Sequence, residues 1–250
     1  GRADGCPPSE RLIETVLMPA LTPLVKICGL TRDQDARFAQ EAGTDYVGVV
    51  LSQGFGRSLP GGDGARVLQG VTVSRVAVTV DESAKSNVEL ARVIGAAVIQ
   101  LHGSEPVDLA RTLRGAGEWL IWKAVRARHV DDVRRVADEF DGAVDGLLVE
   151  GWREGAIGGA GLTLGLEPAE LRTVMPPSVT FVLAGGLTSE TVAEGMARFG
   201  PQVVDVSSGV ERARGVKDPD RIEAFIRAAR SASVTGRTVP PIDSTRDHDH

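Results

Sequence analysis

From Val25 onward one pattern repeats eight times: a five- or six-residue run rich in Val, Ile, Leu and Ala, then a longer segment whose apolar residues keep helical spacing. The apolar runs fall at 24–28, 46–51, 75–80, 97–101, 120–125, 144–149, 179–184 and 203–207. The clearest helical segments are 32–42, 85–94, 107–113, 129–139, 168–174, 189–199 and 219–232. Such alternation specifies βαβ units, because neighbouring parallel strands need a crossover, and a crossover helix needs an apolar face of its own. Eight units in 250 residues predict an α/β protein, a single-domain (β/α)8 barrel over residues 23–232. An open doubly wound sheet is the alternative. Residues 1–22 and 233–250 mix Pro and charge without a period and are read as a flexible extension and a disordered tail. The opening Gly1 suggests processing, with Met18 as a candidate start.

The helix ends carry their own signals. Asp218 can cap the last helix, Pro219 takes the first-turn position where its missing N–H does no harm, and Ile222, Phe225, Ile226 and Ala229 form one apolar stripe. Gly43, Gly95, Gly142 and Gly200 stand where helices hand over to strands, as left-handed caps do. Thr31 precedes Gln34 by capping-box spacing. That spacing predicts a helix N-terminus facing Cys28, where free N–H groups and the helix dipole favour a thiolate. The alternative for Cys28 is a small buried hydrophobe.

Composition limits the function. Charged residues make up 25% and hydrophobic ones 42%, the balance of an ordinary globular protein. A net charge of −6 without a basic block argues against a nucleic-acid partner. No apolar run approaches the ~20 residues of a membrane span, so no membrane partner is expected. Cys6 and Cys28 are too few for a disulfide framework and lack metal-ligand spacing; a reducing cytoplasm and no metal are expected.

In either fold the site lies at the C-terminal ends of the strands. Cys28, Ser52, Asp81, His102, Arg126 and Glu150 stand at or just past such ends, followed by Gly185-Gly186-Leu187 and Ser207-Ser208-Gly209. The last two loops, after strands seven and eight, can converge backbone N–H groups on an anion, which implies a phosphorylated small molecule. Cys28 and Glu150 form a candidate base and acid. Lys26 shares the side-chain parity of Cys28 and can either support its thiolate or pair with Asp205. Arg57, in a glycine-rich loop, can meet a carboxylate through two bonds, the alternative being a solvated loop arginine. His102 is placed to donate to a substrate or to cap the barrel. Trp152 and Arg153 open a glycine-rich loop through Gly161 that can serve as a lid. Neither a GxGxxG fingerprint nor a Ser-His-Asp set is present.

Lys26-Ile-Cys-Gly-Leu-Thr31, Ile99-Gln-Leu-His-Gly103, Leu183-Ala-Gly-Gly-Leu187 and Asp205-Val-Ser-Ser-Gly-Val-Glu211, then Gly215-Val-Lys-Asp218, resemble in order the motifs of the phosphoribosylanthranilate isomerase family of tryptophan biosynthesis. The resemblance spans about residues 24–232. It implies a (β/α)8 barrel without cofactor that converts N-(5-phosphoribosyl)anthranilate to 1-(2-carboxyphenylamino)-1-deoxyribulose 5-phosphate by an Amadori rearrangement. A monomer or homodimer is expected. By the resemblance, Cys28 is the general base, Glu150 the general acid, Arg57 the holder of the anthranilate carboxylate, and Asp205 a neighbour of the ribose hydroxyls. Gly185, Gly186, Ser207, Ser208 and Gly209 bind the phosphate. The family has Asp where Glu150 stands, Phe-Asp-Trp where Leu164-Gly165-Leu166 stands, Ser-Pro-Arg for Phe55-Gly56-Arg57, and Phe for Thr79. These departures gather on the anthranilate side. A diverged homologue acting on another phosphorylated ribosylamine or phosphosugar, and a non-catalytic barrel binding a phosphate ligand, are the alternatives.

Overall fold

The computed structural model describes residues 23–151 and 165–232. Eight parallel strands, Leu24–Ile27 (β1), Tyr46–Val50 (β2), Ser74–Thr79 (β3), Val98–Leu101 (β4), Leu120–Ala127 (β5), Gly146–Gly151 (β6), Thr180–Ala184 (β7) and Val203–Val206 (β8), close into a barrel in chain order, with β1 paired to β8. The helices are Asp33–Glu41 (α1), Gly61–Val67 (α2), Ala84–Ile94 (α3), Val107–Arg114 (α4), Val130–Glu139 (α5), Pro168–Val174 (α6), Val192–Phe199 (α7) and Pro219–Ser231 (α8). The closed barrel is therefore the fold and the open sheet is not. The expected extension, tail and lid lie outside the described residues.

Strand alternation divides the apolar residues into two cores. Tyr46, Val76, Val98, Trp122, Leu148 and Val203 point inward and fill the barrel. Residues of the other parity, such as Val47, Val49, Ile99 and Leu147, join the helix stripes in the larger core outside it. Tyr46 and Trp122 pack with ring centroids 5.2 Å apart. A Cβ on Gly146 would come within 2.6 Å of Trp122 Cδ1, so glycine there leaves the indole its place.

Three local readings change. Helix α2 went unread because three of its seven residues are glycine, yet it buries Gly64 and Val67. Thr188 N–H donates to Thr191 Oγ1 at 3.0 Å and forms a turn, so α7 starts later than residue 189. The Thr31 cap is replaced: Arg32 occupies the N-cap of α1 without a side-chain bond. The Thr31 hydroxyl instead donates to Gly215 O at 2.5 Å, in the turn between two short antiparallel strands, Glu211–Ala213 (β9) and Val216–Lys217 (β10). Handover glycines 43, 95, 142 and 200 do adopt positive φ, 62° to 93°.

A buried ion pair braces the loop after β4. Lys123 Nζ lies 2.7 Å from Glu105 Oε2 and donates to Gly103 O at 2.6 Å, while Glu105 Oε1 accepts from the N–H groups of Gly103 and Asp81. Burial opposes the charge on Glu105, but Lys123 and these N–H groups outweigh it and hold the carboxyl below its ordinary 4.5. Glu105→Ala strands the Lys123 ammonium, and a loss of about 3–5 kcal/mol is expected in denaturant unfolding. Because the folded carboxyl titrates below the unfolded one, this contribution is present above pH 4.5 and is lost as pH falls through the folded value. The difference between the wild type and Glu105→Ala should therefore shrink in acid.

Candidate active site

A cavity of about 430 Å³ opens at the C-terminal end of the barrel. Cys28, Gln100, His102, Arg126, Glu150 and Asp205 line it, all on the inward parity of their strands. The sequence-expected residues Arg57, Gly185, Gly186, Ser207, Ser208 and Gly209 line it as well.

Cys28 follows β1 and is 7% exposed. Below it Lys26 is fully buried, with Nζ 3.1 Å from Asp205 Oδ1 in an ion pair misaligned for a hydrogen bond. The two residues are register partners across β1 and β8, so strand pairing itself brings the charges together. A Cβ on Gly48 would lie 3.0 Å from Cys28 Sγ and 3.2 Å from Lys26 Cε, which reserves this space for the thiol and the lysine stem. Burial would lower Lys26, but Asp205 and Cys28 outweigh it and hold the ammonium above its usual range. Burial pushes the Cys28 thiol up, against the opposing pull of Lys26. The expectation of a helix-stabilised thiolate is thus corrected: α1 starts beyond Arg32, and desolvation dominates at Cys28.

Glu150 is the penultimate residue of β6, and Arg126 is its register partner on β5. Arg126 Nε donates to Glu150 Oε1 at 2.7 Å, and His102 Nε2 lies 3.4 Å from the same oxygen. Burial favours the neutral acid, yet His102 and Arg126 together bring the carboxyl down to about 2. Glu150 is therefore a carboxylate near neutral pH. The two groups expected as base and acid sit in environments that push them in opposite directions, the thiol toward holding its proton and the carboxyl toward releasing it.

Arg57 is reached from the loop after β2 and is tied by two bonds of 2.6 Å to Glu211, at the start of β9. It is not a solvated loop arginine. Glu211 also pairs with Lys217 Nζ at 3.0 Å, and Lys217 donates to Ser207 O at 3.0 Å. The carboxylate is held below its usual range because these cations outweigh its burial, whereas burial leaves Lys217 below its own. Arg214, in the β9–β10 turn, also lines the cavity, and a Cβ on Gly56 would come within 2.0 Å of its guanidinium. Thr79 is elsewhere: its hydroxyl donates to Asn87 Oδ1 on α3 at 2.7 Å, on the helix side of the sheet, so that departure does not alter the cavity.

Gly185 and Gly186 have φ of 89° and 69°, which turns the chain after β7 along the cavity wall. Opposite them a 3₁₀ turn at Ser208–Val210 follows β8. A Cβ on Gly209 would lie 1.9 Å from Leu187 O, so only glycine lets the two loops meet. Sequence reasoning assigned no role to Gln100, Arg126, Glu211, Lys217 or Arg214. The first two were legible from strand parity, and Glu211 and Lys217 stood inside the last motif. Only the hairpin reveals Arg214. Among the described residues no cluster of three or more His, Cys, Asp or Glu could hold a metal ion.

A thiol and a carboxylate–imidazole pair on strands three apart around one cavity, with backbone amides gathered between them, can move protons on a small anion. The fold and the site together define an acid–base enzyme of the (β/α)8 class. The family model for N-(5'-phosphoribosyl)anthranilate (PRA) isomerase matches residues 25–228. N-(5'-phosphoribosyl)anthranilate isomerase of Chromohalobacter salexigens is 40% identical over 205 residues, 81% of this chain and 92% of that protein. The crystal structure of phosphoribosyl anthranilate isomerase from Thermotoga maritima aligns with a TM-score of 0.73 at 33% identity, covering 83% of this chain and 98% of that one. A second solved relative, described as phosphoribosyl anthranilate isomerase in complex with reduced 1-(o-carboxyphenylamino)-1-deoxyribulose 5-phosphate, aligns at 0.70 and 32% identity, with the same coverage of both chains. The chain belongs to the N-(5'-phosphoribosyl)anthranilate isomerase family, isomerases of tryptophan biosynthesis.

The environment of Cys28 has a spectroscopic consequence. Thiolate absorbance at 240 nm, compared between the wild type and Cys28→Ser, should give a midpoint above the ~8.5 of an exposed thiol. Lys26→Met, which removes the opposing cation, should move that midpoint higher still.

Proposed function

We propose that this chain isomerises N-(5'-phosphoribosyl)anthranilate to 1-(2-carboxyphenylamino)-1-deoxyribulose 5-phosphate by an Amadori rearrangement. One observation carries the reading: a thiol and a carboxylate–imidazole pair share a single cavity with the β7 and β8 glycine loops.

An aldose amine becomes a ketose amine by proton movements alone. The furanose oxygen gains a proton as its bond to C1 breaks, which leaves a C1=N iminium. A base then removes the C2 proton, and the released electron pair forms C1=C2 while the iminium nitrogen becomes neutral. Finally C1 gains a proton and the C2 hydroxyl loses one. Cys28, as thiolate, is the base at C2. Its high pKa keeps the thiolate fraction small but makes that fraction strongly basic, and the Lys26 ammonium steadies it. The proton for the ring oxygen comes from the Glu150 side of the cavity.

Backbone amides of the loops holding Gly185, Gly186, Ser207, Ser208 and Gly209 receive the phosphate, supported by the positive φ of Gly185 and Gly186 and by the close approach of Gly209 to Leu187. Asp205 faces the ribose hydroxyls. Arg57, braced by Glu211, and Arg214, lying over Gly56, supply the positive charge for the anthranilate carboxylate. A cytoplasmic location belongs to the same reading, since a phosphorylated substrate does not cross membranes freely. No helix among the described residues is long and apolar enough to span one. A monomer or homodimer accords with a solved relative described as monomers generated from a dimeric enzyme.

Expression in a tryptophan auxotroph that lacks this isomerase step should restore growth, and Cys28→Ala should abolish it, with kcat reduced at least ~100-fold. A folded wild-type protein that neither complements nor turns over the substrate excludes the reading. Gly209→Ala forces Leu187 away from the loop it meets, and KM should rise roughly tenfold, about 1.4 kcal/mol of phosphate binding, with a smaller change in kcat.

A further inference from the structure

We propose that His102, as the imidazolium, delivers the proton to the ring oxygen, and that Glu150 is the carboxylate that orients it. This inference rests on the isomerase reading above and names a further reacting group at the same site.

Arg126 Nε donates to Glu150 Oε1 at 2.7 Å, and His102 Nε2 lies 3.4 Å from the same oxygen. A protonated carboxyl would set its own O–H among donors, so the ionised form is the one this arrangement satisfies. Arg126 cannot release a proton at working pH, which leaves His102 as the group of the three that can. The shorter contact anchors Glu150 to Arg126; the longer one leaves the imidazole edge free to turn to a ligand. Behind the ring, Nδ1 lies 2.8 Å from Gln100 Nε2, while Gln100 Oε1 is buried without a partner. The carboxamide therefore meets the neutral ring through its NH2. After half a turn it meets the imidazolium through the oxygen that now lacks a partner. In that orientation the same oxygen also accepts from the Nδ1–H of the neutral ring left once Nε2 has given up its proton.

The ring also stands on a fixed base. His102 N–H donates to Thr79 O at 2.8 Å, and the Glu105–Lys123 pair holds the next residues. The charged groups around it are Glu150 on β6 and Arg126 on β5, with Asp81 and the Glu105–Lys123 pair beside its loop. Across the cavity stand Cys28, Asp205, Arg57 and Arg214.

In the step itself, the Nε2–H bond breaks with its electron pair left on nitrogen. An O–H bond forms at the ring oxygen, and the C1–O bond opens. The C2 proton goes to Cys28. When C1 takes its proton from the thiol and the C2 hydroxyl returns one to the ring, both groups are restored and nothing has been oxidised.

Steady-state kinetics of the wild type, His102→Gln, His102→Ala and Glu150→Gln test this, with folding followed by circular dichroism. We expect kcat of both His102 variants to fall at least ~100-fold with KM nearly unchanged, a saturable rescue of His102→Ala by added imidazole, and a higher residual rate in Glu150→Gln, unaffected by imidazole. A His102→Gln rate within tenfold of the wild type, or no rescue of His102→Ala, overturns the proposal. Nitrogen-15 NMR of histidine-labelled wild type keeps it falsifiable should the variants not fold: a His102 ring carrying a single proton across the whole pH range of activity overturns it. If the unaltered chain shows no turnover, the isomerase reading falls and this inference with it. Equal turnover by the wild type and His102→Gln sinks the inference alone.

Discussion

The pairing of β1 with β8 closes the barrel, and it places the Lys26 ammonium beside the Asp205 carboxylate at the same level of the two strands. Either charge alone in that interior would carry a desolvation cost of several kcal/mol. Together they are tolerated, and each does a second task. Lys26 offsets the burial that pushes Cys28 up, and Asp205 reaches the cavity wall. A barrel closed in another register would separate the pair and leave two uncompensated charges in its centre. The closure and the site therefore stand or fall together.

A second set of contacts fastens the rim. Glu211 holds Arg57 from the β2 loop and Lys217 from β10, and Lys217 in turn donates to Ser207 in the β8 loop. The backbone N–H of Lys217 donates to Asp35 on α1 at 3.0 Å, and Thr31 donates to Gly215. The hairpin after β8 thus ties the first loops of the chain to its last ones. A charge-assisted clamp of this kind limits the freedom of Arg57 before any ligand arrives, which lowers the ordering cost of binding.

The electrostatics of the cavity are asymmetric. On the β1 side a thiol is desolvated and only partly compensated; on the β5 and β6 side two nitrogen groups overwhelm desolvation at Glu150. Both displacements favour a protonated thiol and an ionised carboxyl, so the base acts through a small thiolate fraction beside the Lys26 ammonium. The glutamate arm, one methylene longer than aspartate, ends against Arg126 and His102.

The alternation of strand and helix, the inward parity of Lys26, Cys28, His102, Glu150 and Asp205, and the glycine loops after β7 and β8 were all legible in the sequence. Each is a local property: a period of two, a period of 3.6, or a turn that needs glycine. Helix α2 was hidden because Gly61, Gly62 and Gly64 erase its apolar pattern, and its burial is decided by neighbours. The tertiary structure alone decided which charges meet. Arg57 and Glu211 are 154 residues apart, and Thr31 turned from a helix cap to a hairpin 184 residues away. The protonation states of Cys28 and Glu150 were decided there too, because desolvation and Coulomb interactions depend on distances and burial that chain order does not contain.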